Sequence, residues 1–143
     1  MTATNFSPAL RNARSQAISD AIGAGTGPGT INFLTTPRPA AGAAITTQML
    51  LATVICADPA GTVVNGALTF SSIADDSLAD NTGDADWVRV YDSDGNWVID
   101  MDVTDEAGAG PVKMISENPG IPATHIYQGG IVKFATLVIM EGN

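Results

Sequence analysis

The sequence predicts a mainly β protein, an antiparallel β-sandwich with one N-terminal α-helix. Two observations lead to this fold class. Helical periodicity is confined to residues 7–23, whereas the rest of the chain alternates short apolar runs with turns rich in Gly, Pro and Asp. About eight strands fit this pattern, at the spacing typical of sandwiches. That spacing leaves the strand order open between jelly-roll, immunoglobulin-like and other Greek-key arrangements.

The helix is predicted from its ends and its periodicity. Ser7 suits the N-cap because its hydroxyl can accept a free backbone N–H, and Pro8 suits the first turn, where a missing N–H costs nothing. Gly23 can adopt the left-handed conformation that ends a helix. One narrow apolar side is expected to be buried, against its own sheet or another subunit: Leu10, Ala13, Ala17, Ile18, Ala21 and Ile22. The polar side chains fall mostly on the opposite face: Arg11, Asn12, Ser15, Gln16, Ser19 and Asp20.

Three strands are predicted between the helix and the middle of the chain. Residues 30–36 form the first, and residues 49–57 form a buried second strand that is shorter than the about 20 apolar residues of a membrane span. Cys56, the lone cysteine, lies in this second strand and is expected to be a small buried hydrophobic side chain. Residues 62–70 form the third, in which Asn65 and Gly66 either close a tight hairpin or bulge a single strand.

The clearest strand pair is a hairpin formed by residues 87–91 and 97–103. Asp94 and Gly95 between them are typical of a two-residue primed turn, because both central residues of such a turn need positive φ. The register that follows places four apolar side chains on the core face: Val88, Val90, Ile99 and Met101.

The outer face of this hairpin carries both charges and aromatic rings. Arg89 is expected to lie opposite Asp100, and Tyr91 opposite Val98. Trp87 and Tyr91 fall on the same outer face. Large aromatic side chains beside charges are candidates for contact with another molecule, or they are covered by another segment of the same chain.

The remainder of the chain is predicted to alternate turns and strands. Residues 71–86 are polar and acidic and are expected to form an exposed connection, within which short strand segments can occur. A short strand follows at residues 112–115, and residues 123–127 lead into a long last strand at residues 131–140. Because this last strand is apolar on both faces at its end, it is expected to be central in the sandwich or covered by a neighbour.

Composition restricts the partners. The 143 residues include 15 Asp and Glu against 6 Lys and Arg, a net charge of −9, which argues against nucleic acid or an anionic membrane as partner. A basic partner surface would suit this charge, or the acids simply keep an apolar β protein soluble. The start of the chain shows no secretory signal, so synthesis in a cytoplasm is expected. The predicted organisation is an N-terminal arm, helix and glycine-rich linker at 1–29 and a β-sandwich domain at 30–143.

Few residues could hold a metal. His125 is the only histidine, so a multi-histidine cluster is excluded, and a structural role half-buried beside Tyr127 is expected. Residues 92–96 match the start of a calcium loop, but position twelve of that loop is Val103 instead of Glu and the flanks are strands. A hairpin turn is the better interpretation, and no metal or other cofactor is predicted.

The protein is predicted not to be an enzyme, because no nucleophile, base and orienting group occur at a recognisable spacing. The acids Asp75, Asp76, Asp100 and Asp102 could hold a weak surface cation. Acids at alternate positions of a strand more often form a solvated face. No catalytic residue is therefore assigned.

Four parts of the chain share a layout with a known group of proteins. They are residues 5–18 with the glycine-rich segment 23–29, the acidic segment 75–83, the turn at 92–95 and the closing residues 140–143. Together they resemble small proteins encoded among the head genes of tailed bacteriophages. Within that group the chain most resembles capsid cement, or decoration, proteins of the small jelly-roll type.

This resemblance implies a jelly-roll-like sandwich that acts as a virion structural protein. Such a protein is expected to form a homodimer, bind the outer surface of the major capsid protein lattice and stabilise the head. Five side chains are expected to contribute dimer or capsid contacts: Leu10, Ile18, Ile22, Trp87 and Tyr91. The alternative is a tail- or fibre-associated sandwich that binds host glycan, with Trp87 or Trp97 as the stacking platform.

Overall fold

The protein is a mainly β sandwich with one helix, which confirms the predicted fold class. The computed structural model describes residues 4–73, 78–116, 118–135 and 137–140. Within these ranges the elements follow the chain as α1 (Pro8–Ile22), β1 (Thr30–Leu34), β2 (Leu50–Ile55), β3 (Gly61–Val64), β4 (Ala67–Phe70), β5 (Gly83–Asp84), β6 (Trp87–Tyr91), β7 (Trp97–Asp105), β8 (Val112–Met114), β9 (His125–Ile126) and β10 (Val138–Met140).

The strands form two larger sheets and one short pair. The five-stranded sheet has the order β2-β1-β6-β7-β8, the three-stranded sheet has the order β10-β4-β3, and β5 pairs with β9. All pairs are antiparallel except β7 with β8, where Val103 lies beside Val112 in a parallel pair, so the larger sheet is mixed. Apolar side chains of both larger sheets meet in one core, among them Phe33, Leu51, Leu68, Phe70, Val88 and Val90.

Helix α1 begins and ends where its sequence signals predict. The Ser7 hydroxyl accepts a hydrogen bond from the Leu10 N–H at 3.2 Å, and Gly23 follows the last turn. The backbone of Gly23 has a φ of −84°, so the predicted left-handed helix end is wrong. The left-handed conformation appears two residues later, at Gly25, whose φ is 98°.

The buried face of α1 differs from the predicted apolar side. Ser15 and Ser19 are buried together with Ile22, whereas Leu10 is largely exposed. The buried residues lie at helical spacing on one side of the helix, which contacts β3, β4 and β7 of its own chain. The alanines of the predicted buried side face away from the core and are exposed: Ala13, Ala17 and Ala21.

Polar contacts with the turn between β3 and β4 explain this orientation of the helix. The Asn12 side-chain oxygen accepts the Gly66 N–H at 2.7 Å, and the Ser15 hydroxyl donates to the Gly66 carbonyl oxygen at 2.8 Å. Arg11 donates to the carbonyl oxygen of Asn65 at 3.4 Å. Because a buried backbone group without a partner is costly, these contacts outweigh the small gain from burying three methyl groups.

That turn has the geometry of a two-residue primed turn. Asn65 and Gly66 have φ values of 52° and 77°, and Val64 pairs with Ala67 on either side of them. The tight hairpin is therefore the correct alternative for this segment. A primed turn was also predicted at Asp94 and Gly95, where both residues would need a positive φ. Among the described residues, Asn65 is the one non-glycine residue with a positive φ, so the predicted turn at Asp94 is wrong.

The β6–β7 hairpin has the predicted register over most of its length. Val88 pairs with Met101, Arg89 with Asp100 and Val90 with Ile99, as the predicted register requires. Tyr91 pairs with Trp97 instead of Val98, because the register shifts by one residue at the end of β6. A bulge therefore replaces the last predicted pair.

Asp92 organises the loop between these two strands. One oxygen of its carboxylate accepts the N–H groups of Asp94 and Asn96, each at 2.9 Å, and the other accepts the Asn96 side-chain amide at 2.9 Å. These hydrogen bonds lower the pKa of Asp92, the side-chain bond from Asn96 most strongly. Residues 92–96 therefore form a five-residue turn, and both oxygens of the Asp92 carboxylate accept hydrogen bonds within it.

The predicted last strand is not continuous. Among the described residues of this segment, a strand is formed only at β10, and Phe134 forms an isolated bridge with Met114. Val132 and Leu137 are both fully buried, although strict alternation would place an odd and an even position on opposite faces. The alternation of a regular strand is therefore interrupted before β10. Thr136 lies outside the described residues.

Candidate functional site

The outer face of the β6–β7 hairpin is covered by the loop between β1 and β2, residues 35–49, called here the covering loop. Trp87 is fully buried beneath it, and its ring N–H donates to the Thr35 carbonyl oxygen at 2.9 Å. Arg89 donates to the Ala43 carbonyl oxygen at 2.7 Å. Trp87 was expected either to contact another molecule or to be covered by another segment of the same chain, and the second alternative is correct.

Beneath the covering loop lies a buried ion pair. Arg89 Nε is 2.7 Å from Asp100 Oδ1 and Arg89 Nη2 is 2.9 Å from Oδ2, with side chains only 4% and 5% exposed. Burial raises the pKa of Asp100, but hydrogen bonds from Arg89, the Gly42 N–H and the Trp97 ring N–H outweigh it and hold the pKa below its ordinary value. The hydrogen bond to Asp100 raises the pKa of Arg89 further.

Trp97 is the tryptophan that remains accessible, with 45% of its surface exposed. Its ring N–H donates to Asp100 Oδ1 at 3.1 Å, and the ring packs on the covering loop at Gly42. Of the two tryptophans proposed as a stacking platform, Trp97 is therefore the one that another molecule can reach.

The five expected contact residues have different surroundings. Leu10 lies on the exposed side of α1, and Tyr91 is half-buried. Ile18 is partly buried and packs against the core of its own chain. Ile22 and Trp87 have no accessible surface, so neither offers a contact to a partner. The structure separates this set because Ile18 and Ile22 share the buried side of the helix, whereas Leu10 does not.

A group of exposed apolar side chains, here called the loop patch, was missed by the sequence analysis. It consists of Ile115, Tyr127 and Ile131, which line one depression of about 220 Å³, and of Leu78, whose neighbour Ala79 is hydrogen-bonded to the segment that precedes Ile131. Their exposed fractions range from 36% to 71%. Two backbone hydrogen bonds join the Leu78 and Ile131 segments: from the Ala79 N–H to Gly130 at 3.0 Å and from the Gly129 N–H to Ala79 at 2.8 Å.

The loop patch was missed because its members are far apart in sequence and lie outside regular strands. Each residue alone resembles an ordinary exposed apolar side chain, which carries no information. Backbone hydrogen bonds between distant segments bring the four together, from Ala79 to Gly130 and from Ile115 to Lys133. Several large apolar side chains exposed side by side mark an interaction surface more often than single ones do.

His125 lies at the edge of the same depression. Its Nδ1 is 2.6 Å from Asp84 Oδ1, and its ring meets the Tyr127 ring edge-on with centroids 4.6 Å apart. This confirms the expected half-buried position beside Tyr127. The nearby Ser116 hydroxyl is already within hydrogen-bond distance of the Asn118 and Ile121 carbonyl oxygens, at 3.0 and 3.1 Å.

The structure shows where the candidate cation-binding acids and Cys56 lie. Asp102 pairs with Arg38 at 2.8 Å on the surface, and Asp75 and Asp76 lie outside the described residues. Among the residues that are described, no three His, Cys, Asp or Glu side chains come together in a way that could hold a metal ion. Cys56 is buried, as predicted, and burial raises the pKa of its thiol to about 11, which makes it a poor nucleophile.

Comparisons with known proteins found no match, so the function is inferred here from the sequence and the structure. The chain matches no protein-family model, no curated protein and no solved structure. In the described part of the chain, none of the helical structure is long and apolar enough to cross a membrane.

Proposed function

We propose that this protein is a virion structural protein, a capsid cement protein that binds the outer surface of the major capsid protein lattice as a homodimer and stabilises the head. The observation that supports this proposal most directly is the loop patch. Its four apolar side chains are exposed on loops that the strands of a rigid sandwich hold in place. Loops on such a framework commonly carry the binding residues of a protein.

The charge of the chain supports the kind of partner. With a net charge of −9, the protein is attracted to basic surfaces and is repelled by nucleic acid. Among the described residues that line the depression of the loop patch there is no Asp or Glu, and Lys133 is the one Lys or Arg. An apolar contact can therefore form there without burying a row of unpaired carboxylates.

Cementing requires binding and no chemical step. A protein that binds only where capsid subunits are correctly spaced lowers the free energy of the closed shell by mass action. The stabilisation grows with the concentration of free cement protein relative to its dissociation constant, so many weak sites on a repeating lattice are sufficient. The proposed site of action is therefore the outer face of the finished head, after synthesis in the host cytoplasm.

The loop patch can be tested with a matched pair of double variants. Purified protein is mixed with heads built from the major capsid protein of the same virus but lacking this chain, and bound protein is measured by co-sedimentation. Tyr127→Ser with Ile131→Ser removes the exposed apolar surface, and we expect capsid occupancy to fall by at least about tenfold. Val64→Ser with Met140→Ser is the control, since both residues are 65% exposed outside the loop patch.

The expected pattern is loss of binding for the first double variant and retention for the control, with both variants folded by circular dichroism. Equal binding by the loop-patch variant and the unmodified protein would contradict the assignment of this surface. Failure of the unmodified protein to bind any head would contradict the proposed function itself.

A further inference from the structure

A second surface depression lies beside Trp97 and shares no residue with the loop patch. It has a volume of about 670 Å³ and opens between the covering loop and the start of β7. The residues that line it are Arg38, Pro39, Ala40, Ala41, Trp97, Val98, Ile99 and Asp100. It is therefore a groove with one aromatic wall, a small-residue floor and a charged rim.

The Trp97 ring in this groove is held in a fixed orientation. Its N–H is bound to the buried Asp100 carboxylate, and Gly42 lies against its six-membered ring, where an added Cβ would come within 2.8 Å of two ring carbons. Gly42 also has a φ of 71°, which favours glycine. One face of the ring is thus covered by the chain, and since 45% of the residue is exposed, the other face is open.

The charges around the groove are balanced. Asp100 is paired with Arg89, and Asp102 is paired with Arg38 at 2.8 Å on the rim. Two carboxylates and two guanidinium groups leave the groove with no net charge, in a chain whose net charge is −9. A cationic ligand would find the acids already neutralised, and an anionic ligand would be repelled by the rest of the protein.

We propose that this groove binds a neutral saccharide, whose ring stacks on the open face of Trp97 while its hydroxyl groups bond to the Arg38 and Asp102 side chains. An aromatic ring offers the apolar C–H face of a sugar a large flat contact. A guanidinium and a carboxylate side by side supply both donors and acceptors for neighbouring hydroxyl groups. A proline-rich peptide fits less well, because such peptides dock in grooves lined by several aromatic rings and Trp97 is the single aromatic residue lining this one.

This inference goes beyond the proposed capsid function and does not rest on it. A cement protein with such a groove would present a saccharide-binding site wherever its copies sit. The two surfaces are separable by mutation, because the loop patch and the groove have no residue in common.

Tryptophan fluorescence gives a direct test. The chain has two tryptophans, and because Trp87 is fully buried, quenching by acrylamide reports on Trp97. The protein is titrated with a panel of soluble neutral tetrasaccharides built from glucose, galactose, mannose or N-acetylglucosamine. We expect at least one of them to protect Trp97 from quenching with a saturable curve, and sialylated and sulfated counterparts to bind at least tenfold more weakly.

Two variants and one control assign the binding to the groove. Trp97→Ala should weaken binding at least tenfold by isothermal titration calorimetry, and Ala40→Phe should do the same by filling the groove without altering Trp97. Tyr127→Ala, which removes an exposed aromatic ring of the loop patch, should leave saccharide affinity within twofold. Capsid binding by Ala40→Phe should be unchanged, which separates failure of this inference from failure of the capsid proposal.

Three results would overturn the inference. The first is the absence of saturable protection with every neutral saccharide at millimolar concentration. The second is binding that Ala40→Phe leaves intact, because the site would then lie elsewhere. The third is preferential binding of an anionic glycan or of a proline-rich peptide, because the balanced charge and single aromatic wall would then have been misinterpreted.

Discussion

Arg89 and Asp100 lie opposite each other on β6 and β7 and form a bidentate ion pair whose two side chains are at most 5% exposed. The pair lies on the face of the hairpin that its alternating pattern assigns to solvent. The covering loop encloses it and contributes the Ala43 carbonyl oxygen and the Gly42 N–H as further partners. The pair therefore joins the central hairpin to the covering loop and orients Trp97 through the same carboxylate.

Removing one member of this pair should strongly destabilise the fold. Asp100→Ala leaves the Arg89 guanidinium buried without a counter-ion, so we expect the free energy of unfolding in urea to fall by about 3–5 kcal/mol. The double variant Arg89→Met with Asp100→Leu should lose less than the sum of the two single variants, because no charge is then stranded. A loss of about 1 kcal/mol or less for Asp100→Ala, as measured for exposed pairs, would show that the pair is not buried in solution.

The lowered pKa values of Asp92 and Asp100 predict loss of stability in acid. Both carboxyl groups have a pKa below the ordinary value of 3.8 in the folded protein, so the unfolded chain binds protons first as the pH falls. Their contribution should be complete above the ordinary value and disappear as the pH falls through the folded values. Urea unfolding at several pH values between neutral and strongly acidic should show this slope.

The contribution of Asp92 to this slope is measured with Asp92→Asn, whose neutral side chain has no carboxylate to protonate. This variant should show a shallower decrease of unfolding free energy below the ordinary carboxyl pKa than the unmodified protein. An identical decrease in both proteins would mean that Asp92 does not contribute to the acid sensitivity.

Two buried serines of α1 provide a matched comparison. The Ser15 hydroxyl donates to the Gly66 carbonyl oxygen, whereas within the described part of the chain the buried Ser19 hydroxyl has no hydrogen-bond partner. Ser15→Ala should therefore cost about 1–3 kcal/mol of unfolding free energy, and Ser19→Ala should be neutral or stabilising. Thermal and urea unfolding of the two variants measure this difference, and equal destabilisation by both would contradict the described helix contacts.

For the proposed homodimer, we expect the contact on the exposed side of α1, where Leu10, one of the five expected contact residues, remains accessible. Leu10 is exposed there in line with Ala13, Ala17 and Ala21, whose small side chains would allow a second helix to approach closely. Leu10→Glu with Ala17→Glu should convert a dimer into a monomer in analytical ultracentrifugation. Ile18 is unsuitable for this test because it packs on its own core. A dimer that survives the charged variant would place the dimer contact on another surface.

Local sequence signals predicted most of the fold. The ends of α1, the β6–β7 register and the position of Cys56 depend on caps, alternation and apolar runs, which act over a few residues. The parallel pairing of β7 with β8 and the broken last strand were not predictable in this way. Both depend on contacts between distant segments, such as the Met114 bridge to Phe134.

The same distinction explains the outcome for the contact residues. A hairpin pattern identifies the side opposite the core but does not show whether another segment covers it, so the sequence left the surroundings of Trp87 open between two alternatives. The helix pattern favoured the more apolar side, whereas the orientation of α1 depends on Asn12 and Ser15 binding the turn at Gly66. The loop patch arises only after folding, so sequence periodicity could not reveal it.

The measurement that tests the proposed function most directly is cryo-electron microscopy of the virions that encode this chain. We expect density of this sandwich on the outer surface of the head, between major capsid subunits, with Tyr127 and Ile131 facing the shell. Heads without such density, with the protein located in the tail or missing from the particle, would contradict it.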